Sequence, residues 1–261
     1  MNYFTRIFKA IFVVVSIFLG TVSISAADFV VDGIYYNILS AEDKTCAVTF
    51  AGAAYDEIQD EYVGDISIPS NVLYNGNEYT ITTISKKAFT NCKNLTSILI
   101  PNSITSIQNG AFNNCTSLKS ITFPESITII DNSICMSCSA LEYITILGQV
   151  SQIKDYAFNK CNELKEIKLY SITPPTINLK TNNISTSVTI IVPNESEESY
   201  KEDSTWGQFN IKTDKLTIID TTFIDNTEIV EYYNILGVKV ENPTKGLYIK
   251  KCGGKAYKVM L

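Results

Sequence analysis

Cysteine is the residue type with the most chemical potential in this sequence, and four cysteines are evenly spaced. Cys92, Cys115, Cys138 and Cys161 follow one another at intervals of 23 residues. In an oxidising compartment such thiols could form disulfides. If the four residues sit on successive coils of parallel strands, their Cα atoms lie about 4.8 Å apart, within disulfide range, but their side chains run parallel instead of facing one another. We therefore expect a buried column of free thiols.

A second thiol pattern is the C-x-x-C spacing of Cys135 and Cys138, which matches redox-active dithiols. Cys135, however, occupies a position where three other sequence copies carry Phe, and no alternation of strands and helices surrounds it. We therefore interpret Cys135 as core packing. Cys46 and Cys252 lie in different regions and have no evident partner.

Acid–base chemistry is restricted because the chain contains no histidine. This composition excludes Ser-His-Asp triads, imidazole metal ligands and imidazole pH switches. The acidic pairs Asp56-Glu57, Asp60-Glu61 and Glu197-Glu198 fall in polar stretches without the spacing of a calcium loop or a glycosidase dyad, so we expect solvated surface. We expect no enzyme, no metal and no cofactor.

The charge balance argues against nucleic acid as a partner. The chain has 27 acidic and 21 basic residues, a net charge of −6. Nucleic-acid binding needs a concentrated basic surface.

The cysteine spacing belongs to a larger repeat, in which a 23-residue pattern recurs four times across 81–172 without insertion or deletion. A period of 20–29 residues with a leucine and isoleucine skeleton is the signature of leucine-rich repeats. We predict a mainly β fold, a short right-handed solenoid of 23-residue coils with a parallel sheet. Three further columns carry the pattern: Ile84, Ile107, Ile130 and Ile153; Leu95, Leu118, Leu141 and Leu164; Ile98, Ile121, Ile144 and Ile167.

Each coil should contain a short strand whose alternation exposes two side chains. In the first coil Ile98 and Ile100 point inward, and Ser97 and Leu99 point outward. Across the coils the outward positions form two rows, which are our candidate ligand-binding face: Ser97, Ser120, Tyr143 and Glu166; Leu99, Thr122, Thr145 and Lys168. The alternative is a plain strand face built from β-favouring residues.

The third copy departs from the pattern, because Ile134-Cys135 replaces Ala-Phe and Leu147-Gly148 replaces the proline turn. We expect a looser coil there. A proline-rich break and a short acidic helix anchored by Trp206 and Phe209 follow the repeats. The predicted organisation is a signal peptide (1–27), a β-rich N-terminal cap (28–80), four repeats (81–172), a C-terminal cap (173–215), a linker (216–227) and a small β-meander (228–261).

The N-terminus predicts export. Arg6 and Lys9 precede an apolar run and a small-residue segment, which fits cleavage after Ala26 or Ala27. The alternative is an uncleaved anchor, but about a dozen apolar residues fall short of the roughly 20 that span a bilayer. No cysteine near this site indicates a lipid anchor.

The pattern I-T-S-I-x-x-x-A-F-x-N-C-x-x-L-x-S-I-x-x-P resembles the BspA-like leucine-rich repeats of bacterial surface proteins. The segment TIIVPNESEESYKEDSTWGQFN resembles the terminating segment that follows such arrays. The tail resembles C-terminal sorting modules of Bacteroidetes proteins handled by type IX secretion, through Tyr233, Gly237, Lys245, Gly246 and Tyr248.

The resemblance implies surface exposure and adhesion to a host protein, matrix or other cells. The implied partners are a host or bacterial surface protein or glycan, and export machinery that recognises the tail. The alternative is a structural spacer of the cell envelope with no specific ligand on the repeats.

Overall fold

A computed structural model describes residues 27–51, 61–213, 231–234, 239–240, 247–252 and 255–260. These residues form a mainly β protein with parallel sheets and few helices, as predicted. The predicted signal peptide, apart from Ala27, and the predicted linker lie outside the described residues.

The N-terminal region folds into a curled sheet. Its strands are β1 (Phe29–Val31), β2 (Ile34–Ser40), β3 (Thr45–Thr49), β4 (Gly64–Ser67), β5 (Asn71–Tyr74) and β6 (Asn77–Ile84). Strands β1, β2 and β3 are antiparallel, as the alternating sequence predicts, and β3 then pairs in parallel with β6. Strands β5 and β6 form a hairpin through Asn75 and Gly76, whose φ angles of 49° and 75° are those of a tight hairpin turn.

The repeats wind between two sets of parallel strands. Along one side run β7 (Leu95–Leu99), β9 (Ser120–Phe123), β11 (Tyr143–Ile146), β13 (Glu166–Leu169), β15 (Thr189–Val192) and β16 (Asn210–Thr213). Along the other run the two-residue strands β8 (Ser106–Ile107), β10 (Ile129–Ile130), β12 (Gln152–Ile153) and β14 (Thr176–Ile177). The first set forms a five-stranded sheet in the order β16-β15-β13-β11-β9, and β10, β12 and β14 form a three-stranded one.

The inward side chains of both sets build one continuous core. Ile121, Ile144 and Ile167 are in register across the sheet, and each is at most 1% exposed. Phe89 and Phe112 stack at 5.2 Å between ring centroids in successive coils. A coil therefore buries its apolar residues against its neighbours, which makes the array cooperative.

The third coil is not looser than the others. Ile134 and Cys135 are fully buried, so this pair fills the space that Ala and Phe fill elsewhere. At Gly148 an added Cβ would lie 2.0 Å from the carbonyl oxygen of Ile127. The glycine therefore lets two backbone segments approach closely, and the expected loosening is wrong.

The thiol column has the predicted free form. Six cysteines among the described residues are buried and unpaired: Cys46, Cys92, Cys115, Cys135, Cys138 and Cys161. The Sγ–H groups of Cys115 and Cys138 donate to the carbonyl oxygens of Phe89 and Phe112 at 3.1 and 3.0 Å. Cys161 donates in the same way to Cys135, at 3.1 Å. Each thiol is thus directed at the backbone of the preceding coil.

Burial makes these thiols poor nucleophiles. Desolvation raises the pKa of Cys46 to about 11. It also raises the pKa values of Cys115 and Cys135 well above the ordinary thiol value. The thiolate is the reactive species, so these groups are chemically inert at neutral pH.

The parallel sheet continues beyond the last copy of the exact repeat. After α1 (Leu179–Asn182), β15 pairs with β13, and after α2 (Glu197–Glu202), β16 pairs with β15. Trp206 and Phe209 are buried, as predicted for the anchors of this segment. Trp206 Nε1 donates to the carbonyl oxygen of Pro175 at 2.7 Å. Within the described residues, neither helix has the length and apolar composition that a membrane span requires.

The tail contains four described strands: β17 (Glu231–Asn234), β18 (Lys239–Val240), β19 (Leu247–Cys252) and β20 (Lys255–Met260). They are antiparallel in the order β18-β17-β19-β20. A meander would follow chain order, so the predicted meander is wrong, because β19 pairs with β17 and not with β18. Tyr233 and Tyr248 lie on β17 and β19, whereas Gly237, Lys245 and Gly246 lie outside the described residues.

Candidate recognition surface

Strand register brings six of the eight predicted outward residues into two rows. Tyr143 is the cross-strand partner of Ser120 on one side and Glu166 on the other. Two residues along β11, Thr145 has the partners Thr122 and Lys168. Residues directly opposite in neighbouring strands have side chains close enough to interact with one ligand.

Ser97 and Leu99, the remaining two residues, belong to a different ladder. They lie on β7, which pairs in parallel with β4 and not with β9, so Ser97 lies opposite Asp65. The hydroxyls of Ser97 and Thr96 donate to Asp65 Oδ1 at 2.7 and 2.8 Å. These two hydrogen bonds stabilise the carboxylate and hold the pKa of Asp65 below its ordinary value.

The structure also extends both rows at their other end. Thr189 and Asn210 continue the row of Glu166, and Ile191 and Lys212 continue the row of Lys168. The repeat register did not reveal these four residues because β15 and β16 pair at an offset of 21 residues, as in Ile190 with Ile211, instead of 23. Their signal in the sequence is a short strand alternation on each side of the acidic helix.

Tyr143 is the most distinctive side chain on the five-stranded sheet. It is 46% exposed on the second strand from the edge, while its strand neighbour Thr145 is half-buried. Leu99, on β7, is 41% exposed. An aromatic ring held on a rigid strand offers a large contact area with little loss of side-chain entropy on binding.

A charged row borders the face. Glu142 and Lys165, each immediately before a strand, form an ion pair with 2.5 Å between Oε2 and Nζ. The hydrogen bond from Lys165 lowers the pKa of Glu142, and the same contact raises the pKa of Lys165. Both groups therefore remain charged over the whole neutral range. Lys119, one coil earlier, adds a further attraction to Glu142.

The acidic pairs considered above do not converge on this face. Glu197 forms an ion pair with Lys201 at 2.7 Å in α2, and Glu61 accepts the backbone N–H of Ala51. Asp56, Glu57 and Asp60 lie outside the described residues. In the described part of the chain, no three His, Cys, Asp or Glu side chains are grouped as a metal site requires. The arrangement on this face suits non-covalent contacts.

Comparison with known proteins identifies the repeats. A family profile described as "BspA type Leucine rich repeat region" matches residues 82–196 in six copies. The exact 23-residue register accounts for four copies, and the matched range reaches beyond β15. No curated protein matches this chain.

Solved structures of bacterial leucine-rich repeat proteins are also similar. A leucine rich cell surface protein from Faecalibacterium prausnitzii A2-165 is 29% identical with a TM-score of 0.44, and the match covers 70% of this chain. This chain spans 38% of the length of that protein. A leucine-rich repeat protein from Bacteroides capillosus ATCC 29799 is 26% identical with a TM-score of 0.44, covering 55% of this chain and 98% of that one. Residues 82–196 thus belong to the BspA type of leucine-rich repeat, and the chain joins the bacterial surface proteins built on it.

Proposed function

We propose that this protein is displayed on the cell surface and binds a protein partner non-covalently through the outward face of its repeat sheet. Adhesion to a host protein, the matrix or another cell is the resulting role, and binding involves no turnover. The observation that carries the proposal is the exposed ring of Tyr143, set in two registered rows on a rigid parallel sheet.

Three features of the face support protein recognition. It combines one aromatic anchor, half-buried hydroxyl groups and a fixed ion pair at its border. Interface energy is concentrated in a few aromatic and charged side chains, with polar neighbours that exclude water around them. Because the backbone of the sheet is already ordered, a partner does not have to pay for its folding.

The test is binding of Tyr143→Ala and Lys168→Glu to immobilised collagen, laminin and fibronectin and to cultured epithelial cells. Removing a central aromatic anchor should weaken binding at least about tenfold. The charge reversal at Lys168 should change the association rate and its salt dependence. Tyr156→Ala is the matched control, because Tyr156 is 47% exposed but lies outside both rows.

Unchanged binding in both face variants would remove this face from the mechanism. If the wild-type protein bound none of these surfaces, the alternative of a structural spacer in the cell envelope would be preferred. The control variant should bind like the wild type in either case.

We further propose that the chain reaches the surface through an N-terminal signal peptide and its C-terminal tail. The support is the basic and apolar composition of residues 1–27 and the resemblance of the tail to sorting modules. Deletion of residues 228–261 should leave the protein in the periplasm, measured by fractionation and by antibody labelling of intact cells. Normal surface display of the truncated protein would contradict the sorting role.

A further inference from the structure

A second concave site lies on the short-strand side of the coils, away from the recognition face. Strands β10, β12 and β14 pair in parallel with Ile130, Ile153 and Ile177 in register. A cavity of about 440 Å³ opens where these strands end, bordered by residues of three successive coils. Sites for small ligands typically have volumes of roughly 300–1,000 Å³, so this volume is adequate for a small sugar.

The walls of the cavity are rich in amide and hydroxyl groups. Gln152 and Thr176 are cross-strand partners and both are exposed, so they stand side by side. Asn132 and Asn178 add two further amides, each able to donate and to accept hydrogen bonds. The side chain of Ile177 is half-buried and supplies an apolar patch among them.

The charges of the cavity disfavour anions. The Nζ atom of Lys154 lies 3.0 Å from Asp131 Oδ1, which neutralises the one ammonium group in the lining. The carboxylate of Asp155 remains, so Asp131, Lys154 and Asp155 together carry a net charge of −1. A phosphate, sulfate or sialic acid would meet this negative charge without a free cation in the lining.

Asp155 is held in place on one side and open on the other. Its Oδ1 atom accepts hydrogen bonds from Thr181 Oγ1 at 2.6 Å and Asn178 Nδ2 at 3.3 Å. Both contacts use the same oxygen, so they fix the carboxylate while Oδ2 can accept from a ligand. Hydrogen bonds to a charged acceptor are stronger than those between neutral groups.

We propose that this cavity binds a neutral saccharide. Asp155 Oδ2 and the Gln152 amide take neighbouring hydroxyl groups of one sugar ring, and Ile177 packs against the C–H groups of that ring. Vicinal hydroxyls match the pairing of a fixed carboxylate acceptor with an amide that can donate or accept. The site is separate from Tyr143 and its rows, so the inference does not depend on the proposed recognition of a protein.

The experiment uses the full chain and four neutral probes: lactose, maltotriose, mannotriose and chitotriose. Binding is followed by amide chemical shifts in NMR titrations and compared with 3′-sialyllactose. At least one neutral probe should shift the signals of residues 152–155 and 176–178, and sialylation of lactose should not improve binding. Absence of a shift with every neutral probe, or tighter binding of sialyllactose than of lactose, would overturn the proposal.

Two variants test the residue assignment. Asp155→Asn keeps the Oδ1 acceptor and the shape, and Gln152→Ala removes an exposed side chain; each should weaken binding about tenfold or more, because hydrogen bonds to a saccharide are lost. Ser106→Ala is the matched control, since Ser106 is an exposed strand residue of the same side on an earlier coil. Binding that is equally tight in both cavity variants would overturn the proposal, and Tyr143→Ala should leave saccharide binding unchanged.

Discussion

Asn182 Oδ1 accepts the backbone N–H of Phe158 at 3.1 Å, replacing the backbone carbonyl that an adjacent coil supplies elsewhere in the array. In the earlier coils the same N–H position bonds a backbone oxygen, as Phe89 does with Ala111 and Phe112 with Ile134, both at 2.8 Å. The Asn182 side chain is fully buried, and its Nδ2 atom donates to the carbonyl oxygen of Lys154 at 3.1 Å. One amide side chain thus completes the backbone hydrogen bonds where the regular repeat ends.

Replacing Asn182 with alanine should be strongly destabilising. The substitution leaves the N–H of Phe158 and the carbonyl of Lys154 buried without partners, and each unsatisfied group costs about 1–3 kcal/mol. We expect a loss of about 2–4 kcal/mol in the free energy of unfolding, measured by guanidinium denaturation. Lys180→Ala, at an exposed position of the same helix, should change stability by less than about 0.5 kcal/mol. Similar stabilities of the two variants would contradict this role of Asn182.

Gly148→Ala should also destabilise the repeats, for a steric reason. The new Cβ would lie 2.0 Å from the carbonyl oxygen of Ile127 and 2.8 Å from that of Glu125, and backbone atoms cannot rotate away as a side chain can. We expect a loss of at least about 2 kcal/mol by chemical denaturation.

Gly110→Ala is the comparison that separates a steric clash from backbone strain. Gly110 has a φ of 65°, and its nearest neighbour would be the flexible side chain of Lys87 at 3.4 Å from the new Cβ. Its alanine variant should lose only about 1 kcal/mol, the cost of a left-handed residue. If Gly110→Ala were the more damaging change, the close approach at Gly148 would not limit the fold.

The thiol column should resist alkylation in the folded state. In a Cys252→Ser background, maleimide should leave all six buried cysteines unmodified under native conditions, because burial both blocks access and raises their pKa values. After denaturation without reductant, six labels should be seen by mass spectrometry. Fewer labels in the denatured protein would indicate disulfides and contradict the free column.

The hydrogen bonds to Asp65 predict a pH effect that can be assigned to one residue. Because its folded-state pKa lies below the ordinary value of 3.8, the stabilising contribution is fully present above that pH and is lost as pH falls through the lowered pKa. Ser97→Ala should raise the pKa of Asp65 in an NMR titration of the carboxylate. Ser120→Ala, in the same outward row on the neighbouring strand set, should leave it unchanged. Equal titration curves for wild type and Ser97→Ala would refute the assignment.

The outward rows show how far sequence reasoning reaches in this fold. Ser120, Tyr143 and Glu166 could be aligned from the repeat alone, because parallel strands of equal coil length must pair residue by residue at the repeat period. Thr189 and Asn210 could not, because helices interrupt the chain between the strands and change the offset. The pairing of Ser97 with Asp65 was also hidden, since β4 lies before the first repeat and shares no pattern with it.

The sequence by itself determined the parallel mainly β architecture, the inward columns of isoleucine and leucine, and the free state of the thiols. These follow from a local period that acts identically in every coil. Tertiary structure alone decided how the array ends, through Asn182 and β16, and where a cavity opens beside Asp155. Such features arise where dissimilar segments meet, because their hydrogen bonds and close approaches depend on contacts between distant residues that no repeat encodes.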